Sequence, residues 1–411
     1  MNIEELKALV TVEVDARREQ LKELSLKIHA NPELGFQEFK AVSWLTQYLE
    51  ENGFSVEQGI YELPTAFRGS YGQGKPAIAI LAEYDALPGI GHACGHNLIA
   101  ASAVGAGVAS KLAIDRLGGS ILVIGTPAEE LYGGKIIIAE RGGFNDIDMA
   151  MMVHFGVYNV AITQALACQT LEVELLGKAA HAAAQPEAGI NALEAMLQSF
   201  NAINSLRQHI KSTARIHGII TDGGQAANVV PNHSAGNFIV RAEDDAYLDE
   251  LKEKVLNCFI GAAIASGARL EYKWGNTRYA PLRSNLTLAR LFGHNMESLR
   301  RKMLLYDPTK AFGSTDMGNV SQLVPSIHPT IAIAPGDVMV HSPEFALAAA
   351  SEAGIRSLID AAKALAMTVV DLLVDPKIVA KIRKEFQQEA QKENRQRVPV
   401  KRKSHGSLFG Y

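Results

Sequence analysis

At 411 residues the chain is longer than one compact core sustains, which predicts two domains. Its 47% hydrophobic and 20% charged residues are those of a soluble globular protein, and a net charge of −4 excludes the basic field that nucleic-acid or membrane-surface partners require. Three cysteines (Cys94, Cys168 and Cys258) cannot all pair and are sparse for the length, which points to a reducing compartment and leaves Cys94 free to act as a ligand.

Residues 4–30 carry Leu6, Leu9, Leu21, Leu24 and Ile28 at helical spacing, a pattern that Asn31-Pro32 ends. This charged start lacks the apolar core of a signal peptide, and no run reaches the ~18 apolar residues of a membrane span, so the expected location is cytoplasmic. A second helix is predicted from Phe39 to Leu49. Apolar strands then alternate with helices: AIAILAEY, the helix after Asn97, SILVIGTPAEE, the helix from Gly134, and DMAMMVHFG. Near-continuous apolar strands separated by helices predict an α/β domain, its mixed sheet covered by helices on both faces, with ligands bound at strand ends.

From Gln169 the pattern changes. TLEVELLG alternates as a half-buried strand, GINALEAMLQSFNAINSLRQHI is an amphipathic helix, ARIHGIIT and AGNFIVRAE are strands, DAYLDELKEKVLNCFIGAAIASG is a helix and ARLEYKWG a last strand. The order β-α-β-β-α-β predicts an inserted ferredoxin-like lid or dimerisation domain over 169–281. The first domain resumes over 282–375, with a helix near Leu286–Leu299, the strand TIAIAP and a helix containing Phe345 to Leu365, and so comprises 1–168 and 282–375. Residues 376–411 form a basic tail, read as a surface helix followed by a mobile end.

Chemistry-bearing residues cluster at the predicted strand ends. Cys94 and His96 lie two apart in a loop flanked by Gly91 and Gly95; they reach one site only if the backbone there is not helical. By itself the pair is as compatible with a buried cysteine beside an incidental histidine, or with a metal-free Cys-His thiol nucleophile, as with metal binding. Glu129 and Glu130 end an apolar strand, where one carboxylate can ligate a metal while the other takes a proton from water. His154 and His341 follow apolar runs and are also compatible with satisfied core histidines. His328 and Asp316 stand near the last strands, where function and packing are not separable from sequence.

The motifs YDALP, HACGH, TPAEE, VHF, GKAAHAAAQPEAGINALEA, ANVVP, GSTDMGNVS and HSPEF, in order over roughly residues 15–370, resemble the co-catalytic metallopeptidase and amidohydrolase family of aminoacylase, carboxypeptidase G and hippurate hydrolase. The likeness is greatest to its subgroup of aminobenzoyl-glutamate hydrolase and aminoacyl-lysine (β-alanyl-lysine) dipeptidase. That resemblance implies hydrolysis of the amide bond of a small N-acyl or N-aminoacyl amino acid by two divalent metal ions, with zinc favoured and manganese the alternative. It further implies that Cys94 bridges the ions, one completed by Glu130 and His341 and the other by His96 and His154. Glu129 is then the general base and Asp85 the residue orienting a ligand histidine. It also implies a homodimer through the lid, with His181 reaching the partner's site, and Asn228 and Arg241 gripping the substrate carboxylate. Glu83 stands where other branches carry a histidine and is not expected to ligate. The rival readings are a thiol hydrolase and a non-catalytic binding protein on the same fold.

Overall fold

The computed structural model describes residues 2–306 and 313–396. The N-terminal pattern forms two helices rather than one, α1 (Ile3–Ala16) and α2 (Arg18–His29), with the turn at Arg17 (φ −101°, ψ 5°). The turn lets one periodic stripe follow two supports: Val10 and Val14 of the first helix and Leu21 and Ile28 of the second all enter the main core. The helix α3 (Phe39–Glu51) follows as predicted.

Strands β1 (Ser55–Gln58), β2 (Phe67–Gln73) and β3 (Ala77–Ala82) precede α4 (His96–Leu117), β4 (Gly119–Gly125), α5 (Gly134–Glu140) and β5 (Met149–Met151). Two three-residue strands, β6 (His154–Gly156) and β7 (Val160–Ile162), lead to the inserted unit. The main sheet has the order β1-β2-β4-β3-β5, closed by β13 (Ser326–Ile327). β3 pairs in parallel with both β4 and β5, whereas β2 is antiparallel to β4. Every residue of β3 is buried, as a strand covered on both faces must be. The apolar helix α4 has the length of a membrane span, but its apolar window is 89% buried against the core.

The segment DMAMMVHFG, predicted as one strand, divides between two sheets. His154 opens β6 of a four-stranded sheet ordered β12-β7-β14-β6, where β12 is Leu304–Tyr306 and β14 is Thr330–Ala332. The remaining helices of this domain are α8 (Leu286–Ser298), α9 (Met317–Leu323), α10 (Pro343–Ala349) and α11 (Glu352–Val374); the predicted helix through Phe345 and Leu365 is therefore broken, with Ser351 capping the second half through Gly354 N. Helix α12 (Pro376–Gln396) opens the basic tail, and the remainder of the tail lies outside the described residues.

The inserted unit runs β8 (Ala167–Leu176), α6 (Ala192–Leu206), β9 (Arg215–Asp222), β10 (His233–Ala242), α7 (Asp245–Ser266) and β11 (Arg269–Tyr279). Its sheet, ordered β11-β8-β10-β9, is antiparallel throughout. In β8 the inward Leu171, Val173 and Leu175 alternate with outward Glu172 and Glu174. Leu171, Phe238 and Phe259 belong to a second hydrophobic cluster, separate from that of the main domain.

Candidate active site

The site forms where β3, β4 and β5 end. Beyond β3 the chain turns through Asp85 and reaches Cys94 just before the first residue of α4, His96. Gly95 adopts φ 80°, a left-handed backbone that avoids the Cβ strain other residues meet there, and this turn brings Cys94 and His96 to the same side. Beyond β4, Ala128 sits at φ 59°, its N–H held by an oxygen of the buried Glu38 carboxyl group at 2.8 Å. This aims Glu129 and Glu130 back across the strand ends. The turn is locked by Gly134, where a Cβ would lie 1.9 Å from the Pro127 carbonyl oxygen.

Five predicted ligands fall into two overlapping triads. Cys94, His96 and His154 form one and Cys94, Glu130 and His341 the other; within each, the donor atoms lie within 4.8 Å of one another. Cys94 Sγ is 3.4 Å from His154 Nε2, and Glu130 Oε1 is 3.8 Å from His96 Nε2 and 3.6 Å from His341 Nε2. Glu129 lies within the same reach of His96 and Glu130. Asp85 stands behind this group: His96 Nδ1 is 3.0 Å from its Oδ1, and its Oδ2 accepts from the Glu130 N–H at 3.0 Å. His154 donates from Nδ1 to the Phe155 carbonyl at 2.7 Å, leaving Nε2 turned to Cys94.

The lid closes one wall. A cavity of about 290 Å³ is lined by Glu129, Glu130, Cys168, Arg241, Tyr279 and Ser314, among others. Arg241 reaches Ser314 at 3.2 Å, and its Nε is buried with no hydrogen-bond partner among the described residues. His181 and Asn228 are not brought to the cluster. Both are exposed in paired lid loops, His181 accepting from the Ala183 and Ala184 N–H groups and Asn228 through its carbonyl from Ala182 N.

Over 410 residues the chain is 36% identical to mouse (Mus musculus) Xaa-Arg dipeptidase, covering 95% of this chain and 94% of that protein. The chain belongs to the M20 peptidase family. Residues 169–263 match the M20 peptidase dimerisation domain. It is also 32% identical to one of the subunits of p-aminobenzoyl-glutamate hydrolase from Escherichia coli (strain K12), over 69% of this chain and 63% of that one. Among solved structures, a Bacillus subtilis dinuclear metal-binding peptidase of the M20 family superposes with a TM-score of 0.70 at 22% identity, covering 88% of this chain and 99% of that one. An aminobenzoyl-glutamate utilization protein of Klebsiella pneumoniae gives 0.65 at 18%, with 87% and 97% covered, so the fold is shared well beyond sequence similarity. As an M20 member the chain is a metal-dependent hydrolase of amide bonds.

The M20 site of this chain fits divalent cations on its own chemistry. His96 Nε2 and Glu130 Oε1 are buried without hydrogen-bond partners among the described residues, a state that costs about 1–3 kcal/mol per atom unless a ligand satisfies it. Burial, reinforced by Glu130, pushes the Cys94 thiol well above its usual range, while burial together with Glu83, Asp316 and Glu130 does the same to Glu129. Cations among these donors would reverse the sign of that field and favour thiolate and carboxylate. Several residues of this site carried no usable signal in sequence. Lys135, in GGKIIIA, reads as an ordinary helix lysine, and Tyr279 gains meaning only when the lid sheet is set against the strand ends.

Proposed function

We propose that this protein is a dinuclear metallodipeptidase that removes a C-terminal amino acid from a dipeptide or N-acyl amino acid with a free carboxylate. The observation that carries this reading is the pair of donor triads sharing Cys94, with Glu129 beside them. Cys94 would bridge two cations, His96 and His154 completing one and Glu130 and His341 the other. The cations would polarise the scissile carbonyl and lower the pKa of a water toward about 7. Glu129 takes the proton from the attacking water and delivers it to the leaving amine. Asp85 fixes the His96 ring and leaves Nε2 free to hold a cation.

Arg241 on the cavity wall offers its guanidinium to the substrate carboxylate. The likeness to Xaa-Arg dipeptidase over nearly the full length favours a basic C-terminal residue over the glutamate of aminobenzoyl-glutamate. Zinc suits the thiolate, with manganese the alternative. The dimerisation-domain match supports a homodimer in which His181 and Asn228 act at the partner's site. All three cysteines are unpaired, which supports a reducing, cytoplasmic setting.

The test is Glu129→Ala on metal-loaded protein, assayed against a panel of Xaa-Arg, Xaa-Lys and aminoacyl-glutamate substrates. Turnover should fall by at least about 1,000-fold while metal content and melting temperature stay at parental values. Undiminished turnover in that variant refutes the assignment of the base.

A further inference from the structure

Behind Glu129 lies a charged pocket that the proposed reaction leaves without a task. One oxygen from each of Glu83, Glu129 and Asp316 lies within 4.8 Å of the others. Three carboxylates this close either take up a cation or give up charge. Here the chain fills the position itself. Lys135, a residue with 0% exposure, places Nζ 2.5 Å from Glu83 and 2.8 Å from Asp316, and its backbone N–H donates to the second Asp316 oxygen at 2.9 Å.

Three elements converge on this one ammonium: Glu83 follows β3, Lys135 lies in the first turn of α5, and Asp316 precedes α9. The close seating of Gly134 on Pro127 binds α5 to the turn that carries Glu129, so the ammonium and the proposed base are mounted on one rigid piece. The second oxygen of Glu83 is buried, has no hydrogen-bond partner among the described residues and faces His96 Nε2 at 3.4 Å, so the pocket adjoins the ligand cluster. Burial opposes charge on Lys135, but Asp316, Glu83 and Glu129 outweigh it and hold the amine protonated.

We infer that Lys135 is a resident cation that occupies the place a third metal ion would take among Glu83, Glu129 and Asp316, and thereby keeps Glu129 unligated beside the metal pair. Lys135 is a positioning residue in this account, which rests on Glu129 serving as the base. With the ammonium gone, the three carboxylates form a hard-oxygen site that draws Glu129 onto a metal and away from the attacking water.

The experiment compares the full chain with Lys135→Met and with Lys135→Met/Asp316→Asn, each equilibrated with excess manganese, freed of unbound metal and analysed for metal per chain. Lys135→Met should hold one more cation per chain than the parent and should lose about 100-fold or more in kcat with KM within about threefold. Its melting temperature should climb with manganese concentration more steeply than the parent's, because a cation replaces the lost charge. The double variant keeps the parental net charge but lacks one carboxylate ligand, and should return to the parental metal count. An unchanged metal count in Lys135→Met overturns the inference, and so does a variant that stays unfolded at every manganese concentration. A parent that binds metal, beside a variant with the same count, defeats this inference alone; a parent that binds none defeats the proposed function with it.

Discussion

Asp85 meets the cluster through both of its carboxylate oxygens, one receiving the His96 ring and the other the Glu130 backbone. Asp85→Asn keeps the shape but turns a donating NH2 toward one of the two donors that the carboxylate now serves. Metal affinity should fall by about 10–100-fold, read by titration against a competing chelator. Glu38 has a different effect. Burial raises its carboxyl from 4.5 to about 7, so between those values the folded chain holds a proton that the unfolded chain releases. Stability from this group is therefore full below pH 4.5 and declines as pH rises through 7, by an amount on the order of 3 kcal/mol. Glu38→Gln retains an acceptor for the Ala128 N–H without the charge, so its melting temperature should gain on the parent's between pH 5 and pH 8. An unchanged difference between the two chains would argue against a buried, protonated Glu38. The grouping of donor residues at the strand ends was legible in the sequence because donors beside Gly-flanked turns stand out. Lys135 was not legible, because nothing local distinguishes a lysine aimed at three acids from one aimed at water.

Helices α1, α8 and α11 meet through a buried polar node. Lys7 Nζ lies 2.7 Å from Asp371 and 2.8 Å from the Asn295 side-chain oxygen, whose amide donates to the other Asp371 oxygen at 2.8 Å. Lys7→Met leaves Asp371 charged and half-satisfied in the core, and should lower stability by about 3–5 kcal/mol in urea unfolding; Lys7→Met/Asp371→Leu should regain much of it. The alternation in β8 and the apolar runs of β3 and β4 announced their elements, since a period of two or an unbroken apolar stretch has few other realisations. The four-stranded sheet of β12, β7, β14 and β6 was not announced. Its strands are three residues each, too short for any period to register, and they are held by neighbours far along the chain. The breaks at Arg17 and Ser351 were hidden for a related reason: the apolar spacing carries through both turns, and only the packing partners change.

For the molecule as a whole, a strong chelator should abolish turnover and lower the melting temperature, and zinc or manganese should restore both. Persistence of activity after chelation would favour the thiol reading of Cys94. The exposed His181 and Asn228 loops give a second test at this scale. His181→Ala and Glu129→Ala chains, each inactive alone, should on mixing recover on the order of a quarter of parental turnover, because only mixed dimers pair an intact base with an intact donor. A mixture that recovers no turnover would place His181 at its own chain's site.

His341 differs from the other four donors. Its side chain is 50% exposed and its backbone stands at φ 66°, whereas His96 is wholly enclosed. Solvent and small competing ligands therefore reach the donor triad that contains His341 more readily than the one that contains His96 and His154. Under limiting chelator the protein should release its ions in two kinetic phases, the quick one deepened by His341→Ala and the slow one by His96→Ala. With two ions bound as proposed, a half-loaded form would be an ordinary way station, and scarcity of metal in the surroundings would throttle turnover while leaving the molecule folded.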